Sequence, residues 1–183
     1  MRGKSHMCLG SYLAEHYLTD VPKVYIRAFL IGCIEPDRNP ATYLKGSFRN
    51  QWLRGHNYLN ARRYMARISQ RLERKESWHI WDYYTLGKLI HYTTDAFTYA
   101  HNDSFPTDLD EHCQYEAELQ DHFLEYMRQD PKVNPTCARS IMAAIRRYHS
   151  EYDKQPSNIY TDTRFAITAC CCVLAMLFTK PIL

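Results

Sequence analysis

The amino-acid sequence predicts an all-α protein, a single-domain bundle of about seven helices. Strand signals are scarce, whereas apolar residues recur at intervals of three and four along most of the chain. Turn signals that contain proline separate these periodic segments, as at Pro36, Pro106, Pro131 and Pro156. No internal repeat, low-complexity tract or linker divides the 183 residues, so we expect one domain over residues 1–183.

Each predicted helix has its own signal in the sequence. Asp20 is expected to cap the second helix, with Pro22 in its first turn and Pro36 at its end. The third helix has apolar residues in a 3-4-3-4 spacing, which is the pattern of an amphipathic helix. Residues 38–55 are predicted to form a long loop of the kind that often lies at the rim of a functional site. The predicted helices span about 8–17, 22–31, 57–75, 78–101, 111–128, 136–149 and 162–178.

The composition is typical of an ordinary globular protein. Apolar residues make up 45% of the chain and charged residues 23%. The net charge of +3 is too small to indicate binding to nucleic acid or to an anionic membrane, and we expect no stable nucleic-acid partner. The basic residues between 62 and 75 are interpreted as the solvated face of a helix.

The cysteines and the hydrophobic segments predict the cellular compartment of the protein. Seven cysteines, three of them adjacent and none in a CxxC pair, do not form a disulfide framework and indicate a reducing compartment. The N-terminal residues lead into no apolar signal sequence. The longest apolar run, 166–178, is shorter than a membrane span requires and is interpreted as a buried helix that includes Cys170, Cys171 and Cys172. We therefore expect a soluble, cytoplasmic protein without a transmembrane segment.

Two histidine–carboxylate pairs have helical spacing. His91 with Asp95, and His112 with Glu116, are i,i+4 pairs whose side chains share one face of a helix. This separation suits two ligands of one zinc ion, or one ligand on each of two adjacent ions. A single pair of this kind is commonplace on a helix surface, where it makes only a weak charge contact.

The surroundings of His91 favour the metal interpretation. Its neighbours are largely apolar, so His91 and Asp95 are predicted to be buried. A buried carboxylate is costly unless a cation or good hydrogen bonds compensate it, and zinc compensates both residues at once. On a continuous helix His101 would sit roughly 80° from the face of this pair, which suits a neighbouring ion better than the same one. The pair His112 and Glu116 could complete that second ion.

These residues also form a recognisable motif. The run Gly87-Lys88-Leu89-Ile90-His91-Tyr92-Thr93-Thr94-Asp95, followed by Ala100-His101 and later by His112-x-x-x-Glu116, resembles the central helices of the zinc-dependent phospholipase C and P1 nuclease superfamily. Upstream, Gly32-x-x-x-Pro36-Asp37, His56-Asn57-Tyr58 and His6 resemble the remaining ligand positions of that family. The eight positions match in order between residues 6 and 116, whereas a lone HxxxD would be weak.

The resemblance implies a multinuclear zinc site with two to three ions. Asp37, His56, His91 and Asp95 would hold one zinc ion. His101, His112 and Glu116 would hold a second, and His6 would join a third, with Asp95 as the bridge. The ions would polarise the phosphoryl oxygens and lower the pKa of a bound water. Asp37 would orient or deprotonate that attacking water.

The chain departs from the family in ways that bear on the substrate. Secreted members use an N-terminal tryptophan at the third zinc, whereas position 1 here is Met1, so the third site is either weak or uses Met1 itself. An aromatic choline box is not evident. Arg38 follows Asp37 instead, and Lys45, Arg49 and Arg54 follow on the same loop. These are either solvated loop charges or, if the loop forms the rim of the site, cations that would favour an anionic substrate.

The function predicted from the sequence is hydrolysis of a phosphodiester, most directly phospholipase C-type cleavage of a phospholipid by a metal-activated water. A P1-type single-strand nuclease is the alternative enzyme. Glu116 in place of aspartate, and the lack of a disulfide pattern, favour the phospholipase branch. A non-catalytic zinc-binding helical protein is the third alternative, although structural zinc sites are usually closed and cysteine-rich. The other histidines and two of the three tryptophans are interpreted as surface or core residues: His16, His79, His122, His149, Trp78 and Trp81.

Overall fold

The computed structural model describes residues 1–39, 57–102, 105, 109–136 and 138–179. Within these ranges the protein is all-α and has no strands, which confirms the predicted fold class. The predicted loop 38–55 falls almost entirely outside the described residues. Seven α-helices and one 3-10 turn follow in chain order: α1 Gly3–Tyr17, α2 Lys23–Arg38, α3 Tyr58–Glu73, α4 Ile80–Ala96, the turn Tyr99–His101, α5 Leu109–Arg128, α6 Ile141–Tyr152 and α7 Ile159–Phe178.

Helix α4 is the central element of the bundle. It packs against α1, α2, α3 and α7. From Leu86 to Ala96 all of its side chains except that of Lys88 are buried, so this helix has no polar face in its second half. A helix that is apolar around its circumference is stable only in a core. The polar residues of this stretch, including His91 and Asp95, are therefore carried into the interior by their neighbours.

Two glycines let α2 and α4 approach each other closely. A Cβ atom on Gly32 would lie 2.2 Å from the carbonyl oxygen of Tyr84. A Cβ atom on Gly87 would lie 2.1 Å from the carbonyl oxygen of Phe29. Real Cβ atoms do not come so near to backbone, so any side chain at either position would push the helices apart. This contact brings the last turn of α2, with Asp37, beside His91.

The boundaries of α2 differ from those predicted. Its N-cap residue is Pro22, without a side-chain cap, so the prediction that Asp20 caps this helix was wrong. The helix also continues through Pro36 to Arg38. Proline there costs a hydrogen bond, but Glu35 offsets it by holding the last turn. The backbone N–H of Asn39 donates to the carbonyl of Glu35 at 3.0 Å, and the Glu35 carboxylate pairs with Lys88 on α4 at 2.9 Å.

The predicted helix 78–101 is two elements, not one. α4 ends at Ala96 with Phe97 as its C-cap residue, and a separate 3-10 turn carries His101. The hydroxyl groups of Thr93, Thr94 and Thr98 bond to carbonyls one turn earlier, a pattern that competes with regular helix and accompanies its end. Because the helix does not continue to His101, the predicted angle of about 80° between His101 and the face of His91 does not hold.

The last two helices begin at side-chain caps that the sequence analysis missed. Ser140 accepts a hydrogen bond from the N–H of Ala143, so α6 starts later than predicted, and it extends to Tyr152. Asn158 accepts from Tyr160 and Thr161, so α7 starts earlier. α1 also starts earlier than predicted, at Gly3.

Helix α7 carries the three adjacent cysteines into the core. Cys170, Cys171 and Cys172 are fully buried, as predicted. By length and composition alone α7 is the one described helix that could cross a membrane, but 72% of its apolar window is buried inside the protein, as in the core helix of a bundle. Trp78 packs against Phe178 at the end of this helix, whereas Trp81 is 65% exposed, so its assignment to the core was wrong.

Candidate metal centre

Seven of the eight predicted ligands gather into two groups of side chains. In each group one donor atom per residue lies within 4.8 Å of every other. The first group joins α1, α2 and α4, and the second joins the 3-10 turn to α5. The eighth predicted ligand, His56, lies outside the described residues. The two groups are His6, Asp37, His91 and Asp95, and then His101, His112 and Glu116.

The first group is centred on Asp95, which is fully buried. Its Oδ1 lies 3.2 Å from Nε2 of His6, and its Oδ2 lies 3.1 Å from Nε2 of His91. Asp37 approaches from the last turn of α2, with its Oδ1 3.5 Å from His91 Nε2 and its Oδ2 3.9 Å from His6 Nε2. Four side chains from three helices thus direct two nitrogens and two carboxylates at one point.

The orientation of His91 suits a metal ligand. Its Nδ1–H donates to the carbonyl oxygen of Cys33 at 2.9 Å. In the neutral ring this leaves Nε2 as the lone-pair nitrogen, and Nε2 faces the carboxylates of Asp37 and Asp95. A lone pair directed at carboxylate oxygens is repulsive unless a cation or a proton lies between them. Ligand histidines in zinc sites are commonly fixed by such a second hydrogen bond.

His6 gives an independent indication of a cation. Its ring is buried, yet neither nitrogen makes a hydrogen bond within the described part of the chain, although Asp95 lies nearby. The ring stacks on that of His91 with centroids 4.0 Å apart. Burial, together with the neighbouring His91, lowers the pKa of His6 to about 4. His6 is therefore neutral at physiological pH, which is the form that binds a metal.

The second group lies beside the first. Nε2 of His101 is 3.3 Å from Oε1 of Glu116 and 3.7 Å from Oδ1 of Asp95. The ring of His112 meets that of His101 edge-on, with centroids 5.9 Å apart. Asp95 therefore contacts His101 of the second group as well as His6 and His91 of the first. The bridge that the resemblance predicts for Asp95 joins the ion of His91 to the third ion, which His6 would join. The assignment of individual ions to these residues stays a prediction.

The amino group of Met1 lies between the two groups. Its nitrogen is 3.0 Å from Oδ1 of Asp95, 3.0 Å from Oε1 of Glu116 and 2.6 Å from Nε2 of His101. Burial lowers the pKa of this amine, but Asp95 and Glu116 outweigh burial and raise that pKa to about 10. The carboxylates thus stabilise positive charge at this point.

The same charges act on the carboxylates. Although burial opposes it, the Met1 ammonium and His101 hold the pKa of both Asp95 and Glu116 below the ordinary range. Both groups are therefore ionised at neutral pH. Histidine nitrogens beside ionised carboxylates form the ligand set that zinc uses in catalytic sites. By these contacts the residues fit a zinc site.

A pocket opens beside the first group. It has a volume of about 380 Å³ and is lined by Gly3, Lys4, Met7, Ile34, Asp37 and Arg38. Asp95 is buried behind it, whereas the side chain of Asp37 is 24% exposed and lines the pocket itself. Asp37 is thus the carboxylate of the first group that a molecule in the pocket would meet.

Two residues of this region were missed in the sequence analysis. Lys4 is on α1, two residues before His6, and it lines the pocket together with Arg38 of α2. No sequence motif marks Lys4. Asp162 is a fully buried carboxylate on α7 that contacts the neighbours of His101 and Glu116. In the sequence, Asp162 is marked only as the start of the last predicted helix, 162–178. Its partners are far away along the chain, so local sequence could not reveal them.

Comparison with known proteins gives one clear result. Residues 5–163 match the family described as zinc dependent phospholipase C, and this match covers most of the chain. Neither the comparison with curated proteins nor that with solved structures gave a significant match. The matched range includes every residue of the two groups described above. The chain therefore belongs to the zinc-dependent phospholipase C family.

Proposed function

We propose that this protein hydrolyses phospholipids by phospholipase C-type chemistry at a centre of two or three zinc ions. The family membership and the two ligand groups support a zinc-dependent phosphodiester hydrolase in general. The observation that carries the finer proposal is the position of Asp37. It belongs to a ligand group and at the same time lines an open pocket large enough for a headgroup.

The proposed reaction breaks the bond between phosphorus and the glycerol oxygen. The oxygen of a water molecule attacks phosphorus, and Asp37 accepts the proton that the water loses. The glycerol oxygen leaves and takes up a proton from solvent, and Asp37 returns its proton to solvent, so the products are diacylglycerol and a phosphorylated headgroup. Zinc would lower the pKa of the water and neutralise the charge on the phosphoryl oxygens. His6, His91 and the buried Asp95 hold fixed positions behind Asp37 and cannot themselves reach the pocket.

The proposal is tested by offering the zinc-loaded protein three substrates. These are phospholipid vesicles, bis-p-nitrophenyl phosphate and single-stranded DNA, with the products identified for each. We expect diacylglycerol and phosphorylated headgroup from the vesicles, and slower turnover of the small diester. Cleavage of DNA without cleavage of phospholipid would favour the P1-type nuclease. A zinc-loaded protein that cleaves none of them would support a non-catalytic zinc-binding protein.

The pocket also supports a preference for anionic headgroups. Lys4 and Arg38 both line it, and neither has an ion-pair partner among the described residues. A quaternary ammonium group would need aromatic faces, and none of the described residues that line the pocket is aromatic. The guanidinium group of Arg38 suits phosphate or carboxylate oxygens, and the ammonium group of Lys4 adds a second positive charge.

We expect phosphatidylserine and phosphatidylinositol to be hydrolysed faster than phosphatidylcholine. Arg38→Ala and Lys4→Ala should each reduce this preference by about fivefold, as expected for an exposed charge pair. Lys23→Ala is the matched control, because Lys23 is an exposed cation at the other end of α2, about 22 Å away along the helix. Initial rates on mixed vesicles give the measurement. A preference for phosphatidylcholine that neither substitution alters would exclude this role for both cations.

A further inference from the structure

Asp162 is a fully buried carboxylate near the start of α7. It accepts three short hydrogen bonds. Its Oδ2 accepts from the backbone N–H of Tyr99 at 2.7 Å and from the hydroxyl of Tyr115 at 2.8 Å, and its Oδ1 accepts from the hydroxyl of Tyr152 at 2.7 Å. Burying a carboxylate costs free energy unless it is hydrogen-bonded. A fully hydrogen-bonded buried group rigidifies the segments that it joins.

Two of the three partners of Asp162 lie on the segments that carry the second ligand group. Tyr99 is the first residue of the 3-10 turn that ends at His101. Tyr115 directly precedes Glu116 on α5. A single carboxylate oxygen of Asp162 thus joins the segment that carries His101 to the segment that carries Glu116. These two side chains meet at 3.3 Å.

Aromatic packing extends this connection to the third member of the group. The rings of Tyr99, Phe105 and Tyr115 contact one another pairwise in edge-to-face arrangements, with centroids 4.9–5.7 Å apart. Phe105 also meets the ring of His112 at 5.7 Å. The cluster that Asp162 fixes by hydrogen bonds therefore supports His112 as well.

A negative charge on Asp162 would stabilise a metal ion held by the second ligand group. Burial raises the pKa of Asp162 to about 6, against the hydrogen bonds from Tyr99, Tyr152 and Tyr115. At neutral pH the group is ionised. An outer carboxylate of this kind commonly orients the residues that bind a metal and strengthens the site.

We propose that Asp162 is the positioning residue of the second ligand group, which fixes His101 and Glu116 at the distance that a shared zinc ion requires. The proposal rests on the zinc centre proposed above and deepens it. It assigns to α7 a role in the site.

The test is the stepwise zinc affinity of Asp162→Asn, measured by competition with a chromogenic chelator. Asparagine keeps the volume but turns an amide N–H₂ toward the Tyr99 N–H or toward a tyrosine hydroxyl. We expect the affinity for one ion, the one held by the second group, to fall about 10- to 100-fold, while that for the other ion stays within about threefold. Tyr115→Phe, which removes one of the three hydrogen bonds, should give a smaller loss in the same direction.

Asp82→Asn is the matched control. Asp82 is equally buried and lies at the other end of α4, where it pairs with Arg71 at 3.2 Å and Lys75 at 3.1 Å. This substitution should lower the melting temperature and leave both zinc affinities unchanged. If Asp162→Asn behaves in the same way, or weakens both ions equally, the inference is wrong. Should Asp162→Asn fail to fold, Tyr115→Phe decides by the same criterion. If the unsubstituted protein binds fewer than two zinc ions, the proposed zinc centre fails first and the inference falls with it.

Discussion

Replacing Asp95 by alanine is expected to remove zinc, activity and much of the stability together. Asp95 contacts His6, His91, His101 and the Met1 amine at distances of 3.0 to 3.7 Å. In Asp95→Ala these nitrogens remain buried, but the negatively charged carboxylate that all of them contact is absent. Breaking a buried ion network by removing one partner costs about 3–5 kcal/mol. We expect a loss of that size in the free energy of unfolding, measured by urea titration of the substituted and unsubstituted proteins without zinc.

The control for this substitution is Asp82→Ala on the same helix. It also deletes a fully buried carboxylate, but one whose partners are Arg71 and Lys75 rather than the ligand groups. Asp82→Ala should be destabilised and keep its full zinc content. The bridging role would be contradicted if Asp95→Ala bound as much zinc as the unsubstituted protein, whatever its stability.

Replacing Asp37 by asparagine is expected to separate zinc binding from catalysis. Asparagine keeps an oxygen at the position where Asp37 faces His91 and His6, so most of the zinc should remain. The amide cannot accept a proton from water. A general base contributes about 10²- to 10⁴-fold to the rate, and we expect kcat to fall by that factor with little change in KM. Zinc content and steady-state kinetics on the same preparation give the measurement.

Asp82→Asn is the matched control for Asp37→Asn. It is the same aspartate-to-asparagine change, at a buried side chain of α4 that pairs with Arg71 and Lys75 instead of facing the pocket. Its turnover should stay close to that of the unsubstituted protein. If Asp37→Asn retains normal turnover, Asp37 is not the base. If it loses zinc and activity in equal measure, Asp37 acts only as a ligand.

The sequence allowed the core of the candidate site to be predicted because its signals are local. Apolar neighbours surround His91 and Asp95 in the sequence, and burial of both residues follows from helical periodicity alone. The i,i+4 spacing of His112 and Glu116 likewise placed them on one face of α5, and both belong to the second group. His101 was assigned to the right neighbours by a wrong argument, since the helix that was meant to carry it ends at Ala96.

What could not be predicted depends on contacts between distant residues. The continuation of α2 through Pro36 depends in part on Glu35, whose partner Lys88 is on another helix. Asp162 meets Tyr99 and Tyr115 only because α7 folds back against α5. The position of Lys4 on the pocket wall follows from the packing of α1 on α2. Propensity and spacing carry no information about such pairs.

The zinc content of the purified protein tests the central claim most directly. Protein prepared without chelators would be analysed for metals, and crystals would be measured at the zinc absorption edge to locate the ions. Two-metal phosphoryl chemistry requires ions a few Å apart, about 3.5–4 Å in known sites. We predict at least two zinc ions per chain, one among His6, Asp37, His91 and Asp95 and another among His101, His112 and Glu116. One zinc ion per chain, or none, would contradict this account.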